Sequence, residues 1–400
     1  MNRFHRPRHV RHTTATPPCI PRPPAADSMA DIAPRPNEPH KPRLVIYHQT
    51  HHTGPQECQN PVSILPLISN NTGVTHIIIA AVHLNDGNNL TLNDDPPSSP
   101  KFTQLWDEVA IAQATGIKVL ALLGGAAKGS FQRLSGDETS FNFYYSQLST
   151  FLTTHSLSGI DLDVEEETPL PSIIRLIDRL RSDFGPSPSF TITLAPVLPA
   201  LLPNMPHLSG FSYFDLENLR RQSIDFYTAQ LYCGWGDAGS AEHYLWAVRS
   251  GWDPRRVVLG TVSCPENGSG WVDVGRLGEV VGVCRRATWG WGGRGGEAFG
   301  GVASWEYFNG LPGGVERPWE WAGRMGAVLG EMIDGTVVGS GVQALGHGQG
   351  QAQMERAQHS WPAESVKTLE ELGFGRVQAV MALNRTSGNV EYAAGLLFDM

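Results

Sequence analysis

Eight short aliphatic runs recur between residues 43 and 308, and the stretches that separate them carry a helical period. The runs are RLVIYH (43–48), VTHIIIAAV (74–82), GIKVLALLGG (116–125), GIDLDVE (159–165), FTITLAPV (190–197), DFYTAQLY (225–232), RVVLGTV (256–262) and GGVASWEYF (300–308). In FTQLWDEVAIAQATG and PSIIRLIDRLRSDFG, apolar residues return after three and four positions and glycine marks the end. Strand and helix therefore alternate. Aliphatic strands joined by helical crossovers indicate a parallel sheet covered by helices. Eight such units in about 270 residues match a (β/α)8 TIM barrel, an α/β fold. An open doubly wound sheet is the competing arrangement, and against it no GxGxxG turn follows the first run.

A chain of 400 residues exceeds what one core usually organises, so appendages are expected. Residues 1–42 are rich in Pro, His and Arg and read as a disordered tail, and the barrel is expected over 43–335. Residues 336–363 are rich in Gly and Gln without periodicity and read as a flexible linker. Residues 364–400 offer three short amphipathic helices, with turns at GFG and TSGN. The net charge of −9 argues against a surface built for nucleic acid. Five widely spread cysteines with no CxxC pair suggest neither a disulfide framework nor a zinc site. The basic amino terminus lacks an apolar signal-peptide core, and no segment is long and apolar enough to span a bilayer, so a cytoplasmic protein is expected.

The chemistry concentrates in SGIDLDVEEE, residues 158–167. In a strand, Asp161, Asp163 and Glu165 point one way while Ile160, Leu162 and Val164 point the other. Inside a barrel the acids face the lumen, where three carboxyls are costly to desolvate unless they share protons and hydrogen bonds. Such crowding raises at least one carboxyl pKa, and Glu165 sits towards the C-terminal mouth, which favours it as a protonated general acid. Glu166 and Glu167 fall in the following loop and read as structural.

These residues resemble the signature Asp-Gly-x-Asp-x-Asp-x-Glu of glycoside hydrolase family 18, the chitinases and endo-β-N-acetylglucosaminidases. The resemblance implies a substrate-assisted mechanism in which no protein side chain attacks the sugar. It implies that Glu165 protonates the glycosidic oxygen, that Asp163 orients the substrate's own N-acetyl group, and that Asp161 shares a proton with Asp163. AQLYCGWG resembles the family's sixth-strand pattern, which makes Tyr232 a hydroxyl donor to the N-acetyl group and Gln230 a polar neighbour. Trp305 resembles the eighth-strand tryptophan under the reacting sugar, Tyr47 lines either the same pocket or the core, and Gly124 and Gly125 match a third-strand Ser-x-Gly-Gly. Three positions depart from the pattern: Ser158 replaces the first Asp, Leu122 the Ser, and Cys233 an Asn or Asp. Each is expected to remove a polar partner near the acids. No metal or organic cofactor is implied.

Only about forty residues separate the seventh and eighth runs, too few for the insertion that deepens the groove of many exo-acting relatives, so an open, endo-acting cleft is expected. The Trp and Gly cluster TWGWGGRGGEAFGG in this stretch reads as a loop, either structural or sugar-stacking. At the carboxyl end, LEELGFGRVQAVMALNRTSGNVEYAAGLLF resembles a ubiquitin-associated (UBA) domain. Leu372, Gly373 and Phe374 match its loop, with Leu replacing Met, and Leu396 and Leu397 its third helix; the partner this implies is ubiquitin. The substrate implied is an oligosaccharide containing N-acetylglucosamine, either chitin-type or an N-glycan. A barrel that binds such sugars without cutting them, linked to ubiquitin as an adaptor, is the alternative from another class.

Overall fold

The structure is a computed structural model that describes residues 40–55, 59–293, 295–331, 362–374 and 376–385, with Val390, Ala393, Ala394 and Leu397. The expected tail before residue 40 and the expected linker from 336 to 361 lie outside the described residues. Eight parallel strands follow the expected runs: β1 (Arg43–His48), β2 (His76–Asn85), β3 (Lys118–Gly124), β4 (Gly159–Asp163), β5 (Thr191–Leu194), β6 (Phe226–Gln230), β7 (Val257–Val262) and β8 (Gly301–Trp305). Each pairs with the next, and β8 returns to β1 with Arg43 opposite Gly301 and Leu44 opposite Val302, which closes the barrel. The fold is a (β/α)8 TIM barrel.

Helices α1 (Thr103–Ala114), α2 (Glu138–Thr154), α3 (Leu170–Phe184), α4 (Tyr213–Arg220), α5 (Ala241–Arg249), α6 (Val274–Thr288) and α7 (Trp319–Gly330) form the outer layer. Several start on the capping residues their sequences supply. Asp137 accepts from Ser140 N–H at 2.8 Å, and Asp273 accepts from Gly275 and Arg276 N–H at 3.0 and 3.1 Å, which satisfies donors that a helix start leaves open.

Strand alternation divides the core into two layers. Ile160, Leu162 and Val164 face outwards and join a buried cluster with Ile173, Leu176, Ile177 and Leu180 of α3. A smaller cluster, including Val45, Ile78, Leu120, Leu122, Phe226 and Val258, fills the lumen. Strand β2 is the longest, and its last four residues pair antiparallel with Asn89–Leu92, a hairpin that adds a ninth strand to the sheet beside the closed ring.

The carboxyl-terminal module has its own small core. Helices α8 (Ala363–Glu371) and α9 (Arg376–Arg385) bury Val366, Leu369, Ala379, Ala382 and Leu383 together with Ala393 and Leu397. No described helix is long and apolar enough to cross a membrane. Cys233, Cys264 and Cys284 are free thiols, and Cys19 and Cys58 lie outside the described residues.

Candidate active site

Asp161 is fully buried in the lumen, where it accepts hydrogen bonds from Thr193 Oγ1 at 2.5 Å and Tyr47 Oη at 3.0 Å. Burial pushes its carboxyl up to about 6, and the two donors act against that rise. Thr193 is a site residue that sequence reasoning misses. It stands opposite Asp161 in the register of β4 and β5, and its only sequence signal is a hydroxyl on the lumen-facing side of FTITLAPV. Asp163 accepts from Gln230 Nε2 at 3.1 Å. Its carboxyl is driven well above the usual range by burial first, then by the charges of Glu165 and Asp161.

Glu165 lies two residues beyond the end of β4 and, unlike the two aspartates, is only partly buried. Burial raises its pKa, while a hydrogen bond from Gln230 Nε2 at 3.4 Å and the charge of Lys128 oppose the rise. Gln230 therefore serves both upper acids, and its amide is anchored on Ala195 O at 2.8 Å. The result is a proton-rich column of carboxyls whose top member reaches the cleft and can donate a proton there.

The loop after β3 runs directly against this column. Gly125 N–H donates to Asp163 O at 2.9 Å. Gly124 has a φ of +100°, and a Cβ there would come within 2.4 Å of Asp163 O and 2.5 Å of the Phe131 ring, so only glycine fits. The loop is fastened from below by Glu166, which is buried and accepts from Gly129 N–H and Phe131 N–H, both at 2.9 Å. Glu167 beside it is exposed, as a loop residue should be. Glu166 is thus structural in a definite sense, because it ties the acid strand to the neighbouring loop.

Across the lumen, Tyr47 and Trp305 pack with ring centroids 5.7 Å apart and planes tilted by 56°. Tyr47 is buried and spends its hydroxyl on Asp161, whereas Trp305, at the tip of β8, is partly exposed. Glu306 follows and accepts from Gln49 N–H at 3.1 Å and Thr50 N–H at 2.7 Å, which holds the chain after Tyr47 in place. Tyr232 stands two residues past β6, partly exposed, and its hydroxyl makes no hydrogen bond among the described residues. Burial, then the charges of Asp163 and Glu165, hold its pKa well above that of a free phenol, so it stays protonated and able to donate.

The model of the glycosyl hydrolases family 18 matches residues 43–262. A solved fungal endo-β-N-acetylglucosaminidase of that family is 41% identical, with a TM-score of 0.66, and the match covers 72% of this chain and 98% of that one. Chitinase ChiC from Aspergillus fumigatus is 47% identical, with a TM-score of 0.63, covering 72% and 99%. The chain belongs to glycosyl hydrolase family 18. It is a glycosidase by family, with a further UBA/TS-N domain matched at residues 362–397. Over 40 residues it is also 54% identical to DNA damage-inducible protein 1 of Kluyveromyces lactis, a match that spans 10% of either chain.

Within this family 18 barrel the three departures have unlike surroundings. Ser158 is not near the acids: its hydroxyl donates to Gln113 Oε1 on α1 at 2.7 Å, because odd positions of β4 face the lumen and Ser158 faces the helices. Leu122 does face the lumen, fully buried below the glycine loop. Cys233 is exposed at a φ of +53°, a left-handed conformation that suits asparagine better than cysteine.

The Trp and Gly cluster also needs correcting as a candidate for sugar stacking. Arg255, just before β7, donates to Trp291 O at 2.9 Å, so that loop lies at the N-terminal end of the strands, opposite the acids. The aromatic residue that the β7 loop does bring to the acid side is Trp271, whose indole donates to Ser263 O at 3.2 Å beside the backbone of Trp305. In the UBA module Leu372 is 45% exposed and Gly373 has a φ of +97°, while Phe374 packs partly on the core. Leu397 belongs to that core, so it is not a surface contact; Leu396 lies outside the described residues.

Proposed function

We propose that the barrel hydrolyses β-1,4 linkages of N-acetylglucosamine as an endo-acting, chitinase-type enzyme with substrate-assisted, retaining chemistry. The observation that carries this reading is the asymmetry of the acids: Glu165 reaches the cleft, while Asp161 and Asp163 are buried behind it. In this reading Glu165 gives its proton to the glycosidic oxygen as the bond to C1 breaks. The carbonyl oxygen of the substrate's own acetamido group then bonds C1, with Asp163 accepting from its N–H and Tyr232 donating to the same group. Water next bonds C1 from the opposite face as the bond between C1 and the acetamido oxygen breaks and the acetamido group is restored. The proton that water loses returns to Glu165, and two inversions leave the configuration at C1 retained. Trp305 supplies an apolar floor for the pyranose C–H face. A cleft without an added domain between β7 and β8, where the described residues form α6, supports attack within a chain.

The second reading, release of N-glycans at their N-acetylglucosamine core, is supported by the similarity to a fungal endo-β-N-acetylglucosaminidase and by the attached UBA domain. In either case Leu372, Gly373 and Phe374 are the patch offered to ubiquitin, a partner found in the cytosol and nucleus. The test is fluorophore release from 4-methylumbelliferyl chitobiose and chitotriose, and glycan release from a high-mannose glycopeptide, by wild type and Glu165→Gln. Loss of about 10²–10⁴-fold in the variant is expected for a general acid. If wild type binds chitooligosaccharide and cuts none of these substrates, the hydrolase reading is wrong and the non-catalytic adaptor replaces it.

A further inference from the structure

Beside the acids lies a second, polar cavity of about 260 Å³, walled by the β2 hairpin on one side and by the loop after β3 on the other. Its lining includes His83, Asn85, Thr91, Asp94 and Lys128. Neither wall is needed to close the barrel, because the strand Asn89–Leu92 pairs only with the overhanging end of β2. Both walls are nevertheless fixed. Asn93 bonds Ala81 N–H at 3.1 Å and Gln49 O at 2.9 Å, Ser130 Oγ accepts from Leu84 N–H at 3.1 Å, and Glu166 clamps the loop on either side of Ser130.

We infer that this cavity is a branch subsite, which takes one neutral hexose of a branched glycan while the chain that carries it lies across the acids. The inference rests on the hydrolase reading and deepens its second form. Volume comes first: about 300–1,000 Å³ is usual for a drug-sized ligand, so this space suits a single sugar ring. The lining then chooses the sugar. Leu84 and Ala127 are its apolar side chains, and Leu84 is 1% exposed, so an acetamido methyl group finds little to pack on. Hydroxyl groups find partners instead: His83 Nδ1 is shielded and lacks one, while Lys128 and Asp94 have no ion pair among the described residues. The loop that carries Lys128 also places the cavity next to the chemistry, since its Gly125 N–H donates to Asp163 O at 2.9 Å and Glu166, next to Glu165, holds its Gly129 N–H at 2.9 Å. Linear chitin carries an acetamido group on every ring; the mannose arms of an N-glycan carry none.

The test uses full-length Glu165→Gln, which binds without turnover, titrated with branched α-linked mannotriose and with chitotriose. Both titrations are repeated after adding Asn85→Trp, which fills the cavity from its rim, and Asn85→Ala, which removes the amide and its 3.0 Å hydrogen bond to Thr91 Oγ1, a loss the two variants share. Mannotriose binding weakened about tenfold by the tryptophan, less by the alanine, with chitotriose affinity unchanged, is expected. Unchanged chitotriose affinity also shows that the variants fold. Failure of the parent to bind mannotriose, parallel weakening of both sugars, or indifference of mannotriose to either variant overturns the assignment. Turnover is read separately on wild type: cutting chitotriose while leaving the glycopeptide intact sinks the N-glycan reading, and the titrations still decide what the cavity binds.

Discussion

Lys128 makes no ion pair among the described residues, yet its charge helps to hold down the pKa of Glu165. Lys128→Met removes that restraint, so Glu165 keeps its proton to higher pH and the alkaline limb of the pH–rate profile moves up; a limb that stays or moves down contradicts the assignment of Glu165 as the acid. His48 carries a different cost. It is fully buried with neither ring nitrogen partnered among the described residues, and burial first, then the charge of His51, holds its pKa well below the ordinary value. An unfolded imidazole takes a proton near pH 6.5 and the folded one does not, so this residue costs stability as pH falls below about 6.5. The gain in melting temperature from His48→Leu should therefore be larger at pH 5.5 than at pH 7.5, and an equal or smaller gain would refute the account. The acid column was legible because alternation alone puts Asp161 and Asp163 on one face. The misjudged Ser158 shows the same rule neglected: three positions before Asp161, it falls on the other face.

At the scale of elements, the loop after β3 is where sequence and structure part. The pair Gly124–Gly125 could be matched to a motif, but the reason for it is the carbonyl of Asp163, which belongs to a different strand. Gly124→Ala should cost about 2 kcal/mol or more, through a disfavoured φ and a forced backbone shift, and should lower kcat through Asp163. A variant that melts like wild type would show that the loop can move aside. Glu166 was unreadable for a similar reason, since the N–H groups it accepts from lie 35 and 37 residues earlier in the chain. The hairpin went unread although Asp86–Gly87, set between HIIIAAVHL and NLTL, is a hairpin turn signal; the overhang of β2 past the barrel rim is what gives Asn89–Leu92 a partner. For the Trp and Gly cluster two readings stood open, and topology decides for the structural loop by putting it at the N-terminal end of the strands, away from the acids.

For the whole molecule, the barrel and the UBA module bury separate clusters that share no described residue. A chain ending at Glu331 should keep the melting temperature of the barrel and its turnover of chitotriose while losing capture by immobilised ubiquitin. Loss of barrel stability in that truncation would mean that the two parts support one another. The eight-unit architecture was legible because each unit repeats the same strand and helix pattern, whereas the surroundings of the acids depend on pairings between distant units. One such pairing reaches furthest. Because β8 supplies the hydrogen-bonding partners of β1, the first strand made keeps one unpaired edge until the last has left the ribosome. Closure thus joins the two most distant strands in the sequence and cannot form before the last of them is made, so a truncated nascent chain that lacks β8 ends with that edge of β1 open to pair with a neighbour.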